Sequence, residues 1–202
     1  MIKTIIFDNA GVLVCRNEDG VYGLFSKLYG VSEDKVQDEY DEIGKKLDTG
    51  EITGDEFYLA LDVCFGRPLP FEEVRAAHRA IFQRKRDVWE YAERLKRDFE
   101  LALLSNFGDF FNEFNEDWRL EELIDKDRMF VSYRLGMAKP SQEIYLYALN
   151  SLGRKPEETV FVDDKLENIE TARSLGMNAV QFKSLEQLKV ELEEIIKREN
   201  EK

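Results

Sequence analysis

Cysteine and histidine are scarce in this chain, and long apolar runs are absent. Two cysteines, Cys15 and Cys64, are too few for a disulfide framework, so a reducing compartment, the cytoplasm, is expected. Neither has a histidine or a second cysteine beside it, so neither reads as a zinc ligand or an activated thiolate. No stretch approaches the length needed to span a bilayer, and the first residues lack a signal peptide's apolar region and cleavage site. Positive charge is in deficit: 29 lysines and arginines against 42 acids give a formal net charge of −13. That balance argues against tracking a phosphodiester backbone or an anionic membrane, so neither nucleic acid nor membrane is an expected partner. A small anion stays possible, because one pocket can be positive inside an acidic protein. Internal repeats and low-complexity tracts are also missing. What remains is sufficient for a globular fold: 202 residues, 43% hydrophobic and 35% charged, suit one domain with an insertion, or two small ones.

The informative pattern is where apolar strands stop. Ile5-Ile6-Phe7 runs straight into Asp8 and the turn Asn9-Ala10-Gly11. Leu101-Ala102-Leu103-Leu104 ends in Ser105-Asn106, and Thr159-Val160-Phe161-Val162 ends in Asp163-Asp164. Short apolar runs of this kind fit strands buried on both faces. In an open parallel sheet, the carboxyl ends of the strands open onto the crevice where ligands sit. Three such ends can converge, which places Asp8 for chemistry rather than for solubility.

Between residues 19 and 86 the pattern is helix after helix, with no convincing strand. Val36, Tyr40, Ile43 and Leu47 form one apolar stripe, and Val74, Ala77, Ile81 and Phe82 another. Thr53 with Glu56 makes a capping box before Phe57, Ala60, Leu61 and Cys64. From residue 87 helices and strands alternate, with Met129-Phe130-Val131 and Ala179-Val180-Gln181-Phe182 as further strands. Pro140 suits the first turn of a helix that Gly153 closes, and Ser184 with Gln187 caps a last helix. The expectation is an α/β fold, a Rossmann-like doubly wound parallel sheet with a helical cap inserted after its first strand. The boundaries read as residues 1–14 and 87–202 for the catalytic core and 15–86 for the cap.

Four segments in order carry a family resemblance: Phe7-Asp8-Asn9-Ala10-Gly11-Val12-Leu13, Leu104-Ser105-Asn106, Gly136-Met137-Ala138-Lys139-Pro140, and Val162-Asp163-Asp164 through Asn168. Together with Gly50-Glu51-Ile52-Thr53 in the cap, they resemble the haloacid dehalogenase-like hydrolases with a cap between the first and second motifs. The branch most similar holds glucose-1-phosphate phosphatases and the phosphatase domain of soluble epoxide hydrolases. The resemblance implies a magnesium-dependent phosphatase acting on a small phosphorylated metabolite, a sugar phosphate first, through an aspartyl-phosphate. Asp8 is then the nucleophile. Asp8, the Ala10 carbonyl and Asp164 hold Mg²⁺, with Asp163 in a supporting position. Ser105 and the Asn106 amide bind phosphoryl oxygens whose charge Lys139 neutralises, as phosphoryl transfer requires.

Ala10 departs from the family's usual pattern, which has a second aspartate two residues after the nucleophile to protonate the leaving group and activate water. A positioned acid–base group contributes about 10²–10⁴-fold. Three routes around the alanine are a substrate with a good leaving group, a substitute residue, or binding without turnover. A metal-free 2-haloacid dehalogenase, in which Asp8 attacks carbon, and a catalytically weak binding protein are the alternatives; the tandem acids Asp163-Asp164 count against the first.

Bland readings apply to the remaining residues. Asp164 also fits an N-cap, and Asn168 an ordering hydrogen bonder. His78 lies on an apolar stripe and reads as packing. Arg84-Lys85-Arg86 reads as a solvated hinge where the cap rejoins the core. Among Phe107, Phe110, Phe111 and Phe114, only Phe107 is a candidate to touch substrate, while Tyr133 and Arg134 are candidates to line the cleft.

Overall fold

A computed structural model describes residues 1–201, so Lys202, the last residue of the expected core, lies outside them. β1 (Thr4–Phe7) leads through a tight turn to β2 (Val14–Arg16), then α1 (Gly20–Tyr29), α2 (Glu33–Asp48), α3 (Gly54–Phe65), α4 (Phe71–Ala80) and β3 (Phe82–Arg84). The rest alternates: α5 (Arg86–Leu95), β4 (Glu100–Ser105), α6 (Phe111–Trp118), β5 (Met129–Val131), the single turn α7 (Ser132–Leu135) and α8 (Gln142–Leu152). β6 (Thr159–Asp163), α9 (Leu166–Ser174), β7 (Asn178–Gln181) and α10 (Leu185–Asn200) complete the chain.

The five core strands form one parallel sheet in the order β5-β4-β1-β6-β7. Its alternation explains the continuous apolar runs: Ile5, Phe7, Leu101, Leu103, Val160 and Val162 face one side, and Ile6, Ala102, Leu104 and Phe161 the other. The first side is covered by Val88, Trp89, Ala92 and Leu95 of α5 and by Leu188, Leu192 and Ile195 of α10. The second is covered by Ile144, Tyr145, Ala148 and Leu149 of α8 and by Ile169 and Ala172 of α9. Each such side chain contributes about 1.5–3 kcal/mol on burial. The doubly wound α/β core follows directly from that arithmetic of two buried faces. No helix among the described residues is long and apolar enough to cross a membrane.

The register decides what meets at the crevice. Phe7 pairs with Leu103 on one side and Val162 on the other, and the Asp8 N–H donates to the Val162 carbonyl at 2.8 Å. One step further along, Asp8 and Asp163 therefore lie side by side at the carboxyl edge. β1 is also where the sheet's winding reverses, since β4 and β5 lie to one side of it and β6 and β7 to the other. That is the switch point at which open α/β sheets bind ligands.

Three local readings need correction. The helical block contains strand β3, which pairs antiparallel with β2 through Val14↔Arg84, Cys15↔Gln83 and Arg16↔Phe82. Three residues carry no periodic signal, and a ribbon formed by such distant segments is tertiary in origin. Phe82 therefore belongs to that strand, and α4 ends before Ile81. Pro140 stands ahead of α8 rather than in its first turn, because Ser141 takes the cap position and Gln142 begins the helix. Elsewhere the punctuation follows the sequence. The Thr53 hydroxyl accepts from the Glu56 N–H while the Glu56 carboxylate accepts from the Thr53 N–H, and Ser184 accepts from Gln187.

Candidate active site

At the carboxyl edge, Lys139 reaches in from the loop before α8. Its Nζ donates to Asp8 Oδ1 at 2.8 Å and to Asp163 Oδ2 at 2.7 Å, and all three side chains are buried. The Asn106 side chain fixes the lysine's backbone at two points, donating from Nδ2 to the Lys139 carbonyl and accepting from the Lys139 N–H, both at 2.8 Å. Asp163 is saturated. Its Oδ1 accepts from the Lys165 N–H and Asn168 Nδ2, and its Oδ2 accepts from Lys139 and again from Asn168. It orders lysine, asparagine and the start of α9, and no lone pair is left for a supporting contact of another kind.

Asp164 behaves differently. Its Oδ1 is buried without a hydrogen-bond partner, and Asp8 Oδ2 likewise has none among the described residues. Gly11 makes the approach of the turn after Asp8 to Asp164 possible: its φ is 109°, and a Cβ there would collide with the Asp164 carboxylate. Carboxylate oxygens of Asp8, Asp163 and Asp164 all lie within 4.8 Å of one another. Three acids thus face one ammonium, leaving an excess of two negative charges that a divalent cation would balance. Burial is the first cause that lifts the Asp8 carboxyl to about 6, with Lys139 pulling down and Asp163 and Asp164 pushing up. Burial also raises Asp164, and Asp163 beside it adds to the effect. Lys139 itself would be lowered by burial, but Asp8 and Asp163 hold it above its ordinary value. Unpaired buried carboxylate oxygen, unbalanced charge and an all-oxygen donor set fit magnesium. Ser105, at the end of β4, is fully buried and its Oγ has no partner, which leaves the hydroxyl for a ligand.

Asp8, Asn106 and Lys139 lie on the floor of a cavity of about 570 Å³ between the sheet edge and the helical block, with Ser105, Asp163 and Asp164 behind its lining. Asp8, Ala10, Asn106, Lys139 and Asn168 line it from the core, and Phe107 and Phe110 from the loop after β4. Arg16, Tyr22, Tyr40, Asp48 and His78 line it from the opposite side; the sequence offered Tyr40 and His78 only as packing residues and gave no signal for the other three. His78 is buried among aromatic rings, its Nδ1 2.9 Å from the Tyr58 hydroxyl and its Nε2 3.4 Å from that of Tyr40. Burial, then Arg16, drives its pKa down to about 3, so the imidazole is neutral. Asp48 is half-buried, and burial lifts its carboxyl to about 6 against the pull of Lys165 and Lys139.

Other expectations change. Lys85 is no solvated hinge residue: its Nζ donates to the Gly11 carbonyl at 2.5 Å and its N–H to the Leu13 carbonyl, tethering the turn that follows Asp8. Arg84 lies over the Trp89 ring and pairs with Glu122. Tyr133 and Arg134 are not among the cavity-lining residues; the guanidinium sits over Phe111 and donates to Asn112. Phe110 joins Phe107 in the wall, where the sequence offered Phe107 alone.

Comparison with known proteins gives this geometry a family context. The model of the haloacid dehalogenase-like hydrolases matches residues 2–176. The chain is 34% identical over 194 residues to the D-ribitol-5-phosphate phosphatase of Bacteroides thetaiotaomicron, covering 90% of this chain and 92% of that one. It is 29% identical over 183 residues to a sesquiterpene phosphatase of Aspergillus oryzae, covering 87% of each. A HAD-family enzyme of B. thetaiotaomicron has the same fold, with a TM-score of 0.81 at 24% identity over 91% of this chain and 95% of that one. Its complex with magnesium and inorganic phosphate superposes with a TM-score of 0.77 at 24% identity, covering 92% and 96%.

Proposed function

The chain belongs to the haloacid dehalogenase-like hydrolases, and from that premise we propose that it is a magnesium-dependent phosphomonoester hydrolase acting in the cytoplasm on a small phosphorylated metabolite, a sugar phosphate before others. One observation carries the reading: Asp8, Asp163 and Asp164 gather around the Lys139 ammonium, with Asp8 Oδ2 and Asp164 Oδ1 both unbonded. The relatives add that two enzymes similar over most of this chain are phosphatases, and that a protein of the same fold has been seen in complex with magnesium and inorganic phosphate.

In this reading Asp8 attacks phosphorus and takes the phosphoryl group as an acyl phosphate, which water then hydrolyses. Lys139 neutralises phosphoryl charge, and the Ser105 hydroxyl and the Asn106 N–H orient its oxygens. Asp163 positions Lys139 and Asn168. When bound by Asp8, Asp164 and the Ala10 carbonyl, magnesium supplies further neutralisation of phosphoryl charge. The division into a core of residues 1–14 and 87–202 and a cap of 15–86 belongs to the same proposal, with the β2–β3 ribbon at the junction, β2 crossing the first boundary and β3 ending just before the second. The cap wall supports a hydroxylated substrate over a terpenoid one, since Arg16, Asp41, Lys45 and Asp48 all line the cavity.

Ala10 keeps a metal-free dehalogenase and a silent binder as competing readings, and one experiment separates the three. Phosphorylated metabolites, sugar and sugar-alcohol phosphates among them, are screened with magnesium on the native chain and on Asp8→Asn. Turnover should fall by about 10³-fold or more in the variant and disappear with chelator. Turnover that survives chelation, or that Asp8→Asn leaves intact, would overturn the mechanism; with 2-haloacids in the same screen, halide release without magnesium would favour the dehalogenase, and no turnover of either class the binder.

A further inference from the structure

The position that usually supplies acid–base catalysis in this family is an alanine, yet an unpartnered carboxyl lines the same cavity from the other side. Asp48 is the last residue of α2, and no hydrogen bond or ion pair engages its side chain among the described residues. It shares that cavity with Asp8, Lys139 and Lys165, from three separate core segments, so it faces the reacting centre.

Its position is fixed by the backbone around it. The Gly50 N–H bonds to the Leu47 carbonyl at 3.1 Å and the Glu51 N–H to the Lys46 carbonyl at 2.9 Å, closing α2 in a Schellman motif just beyond Asp48. That end of the helix is docked on the core. The Leu47 side chain packs against Gly108, the Gly54 N–H donates to Asp109 Oδ1 at 2.8 Å, and Gly50 abuts the Tyr133 carbonyl. Asp48 thus projects from a clamped segment. The carbonyl end of α2 carries partial negative charge, which favours the neutral carboxyl. Burial works in the same direction.

We propose that Asp48, presented by the cap, is the catalytic acid–base that the core lacks at Ala10. As Asp8 attacks phosphorus and the bond to the leaving oxygen breaks, the Asp48 carboxyl gives its proton to that oxygen. The Asp48 carboxylate then takes a proton from the water that attacks the phosphoryl group on Asp8, releasing phosphate and restoring both side chains. This rests on the phosphatase reading above.

Leaving-group dependence tests it. With magnesium present, kcat/KM is measured on phenyl phosphate and p-nitrophenyl phosphate, two esters of similar shape whose leaving oxygens differ in basicity. Asp48→Asn should cost on the order of 10²-fold on phenyl phosphate, the poorer leaving group, and roughly tenfold less than that on p-nitrophenyl phosphate. Adding Ala10→Asp to Asp48→Asn should restore much of the phenyl phosphate rate. Equal losses on both esters, or a loss confined to KM, would overturn the proposal and make Asp48 a binding residue, with the phosphatase reading intact. Absence of turnover by the native chain on these esters and on the phosphorylated metabolites of the screen above would overturn that reading, and this proposal with it.

Discussion

On the core side of the cavity the buried charges hold one another, whereas on the cap side exposed Arg16 and half-buried Asp48 stand apart. Lys139 bridges Asp8 and Asp163, and Asp163 accepts four hydrogen bonds from Lys139, Lys165 and Asn168. Across the cavity, the side chains of Arg16 and Asp48 make no hydrogen bond or ion pair among the described residues, and Tyr22, Tyr40 and Phe82 line the wall with them. The difference follows from what each wall is built on. Parallel strands hold the core groups in register through backbone bonds to neighbours on both sides, so charges can be packed tightly and still be satisfied. The cap wall presents side chains without such a lattice: Asp41 accepts from the Tyr22 hydroxyl and Lys45 pairs with Glu42, while the Asp48 side chain has no such partner among the described residues. In the proposed reading a fixed reacting centre faces an adaptable recognition wall, an arrangement by which one fold can serve different substrates.

The comparison breaks first, and most severely, at Lys139. Replacing it with methionine removes the only ammonium among three clustered acids, and breaking a buried charge pair costs about 3–5 kcal/mol. Urea denaturation should register that loss, and magnesium should return part of it by supplying positive charge to the same carboxylates. A loss near zero would mean that the acids are not electrostatically coupled in the folded protein.

On the cap side the largest effect lies with His78, and its sign is set by burial. Its pKa falls from an ordinary 6.5 to about 3 in the folded protein, so the unfolded chain binds the proton first. Its contribution is fully present above pH 6.5 and is lost as pH falls through that value towards 3. From pH 7 to pH 5 the loss is about 2 kcal/mol. His78→Phe leaves the Tyr58 and Tyr40 hydroxyls without this partner and lowers stability at every pH, but it should remove that share of the slope between pH 7 and pH 5. A slope equal to that of the native chain would show that the imidazole titrates freely.

Legibility followed the same division. β1, β4, β5, β6 and β7 were readable because buried parallel strands leave continuous apolar runs, and the family spacing singled out Asp8, Ser105, Lys139 and the Asp163-Asp164 pair. Strand β3 was not readable, since three residues paired with a segment nearly seventy positions away carry no local pattern. Nor were Arg16, Tyr22 and Asp48. Asp48 stands just before Thr49-Gly50, a helix-stop signal, but a stop signal locates the end of a helix and not the direction in which its last side chain points. The division of labour between Asp163 and Asp164 was equally hidden, because adjacent acids look alike until their hydrogen bonds are counted.

The smallest effect isolates the clamp that joins the two walls. Gly50 and Gly153 both end helices with positive φ, 73° and 62°, so alanine at either pays about 1 kcal/mol for left-handed backbone. They differ in surroundings: a Cβ at Gly153 meets open space, while one at Gly50 lies 2.6 Å from the Tyr133 carbonyl oxygen. Gly153→Ala therefore reports backbone cost alone, and any excess in Gly50→Ala reports the contact between α2 and α7. An excess of about 1 kcal/mol in urea denaturation, accompanied by faster amide exchange at the carboxyl end of α2, is the expected result. Equal losses in the two variants would mean that the turn after Asp48 yields without resistance, and a side chain on so loose a support could not be held over the phosphoryl group.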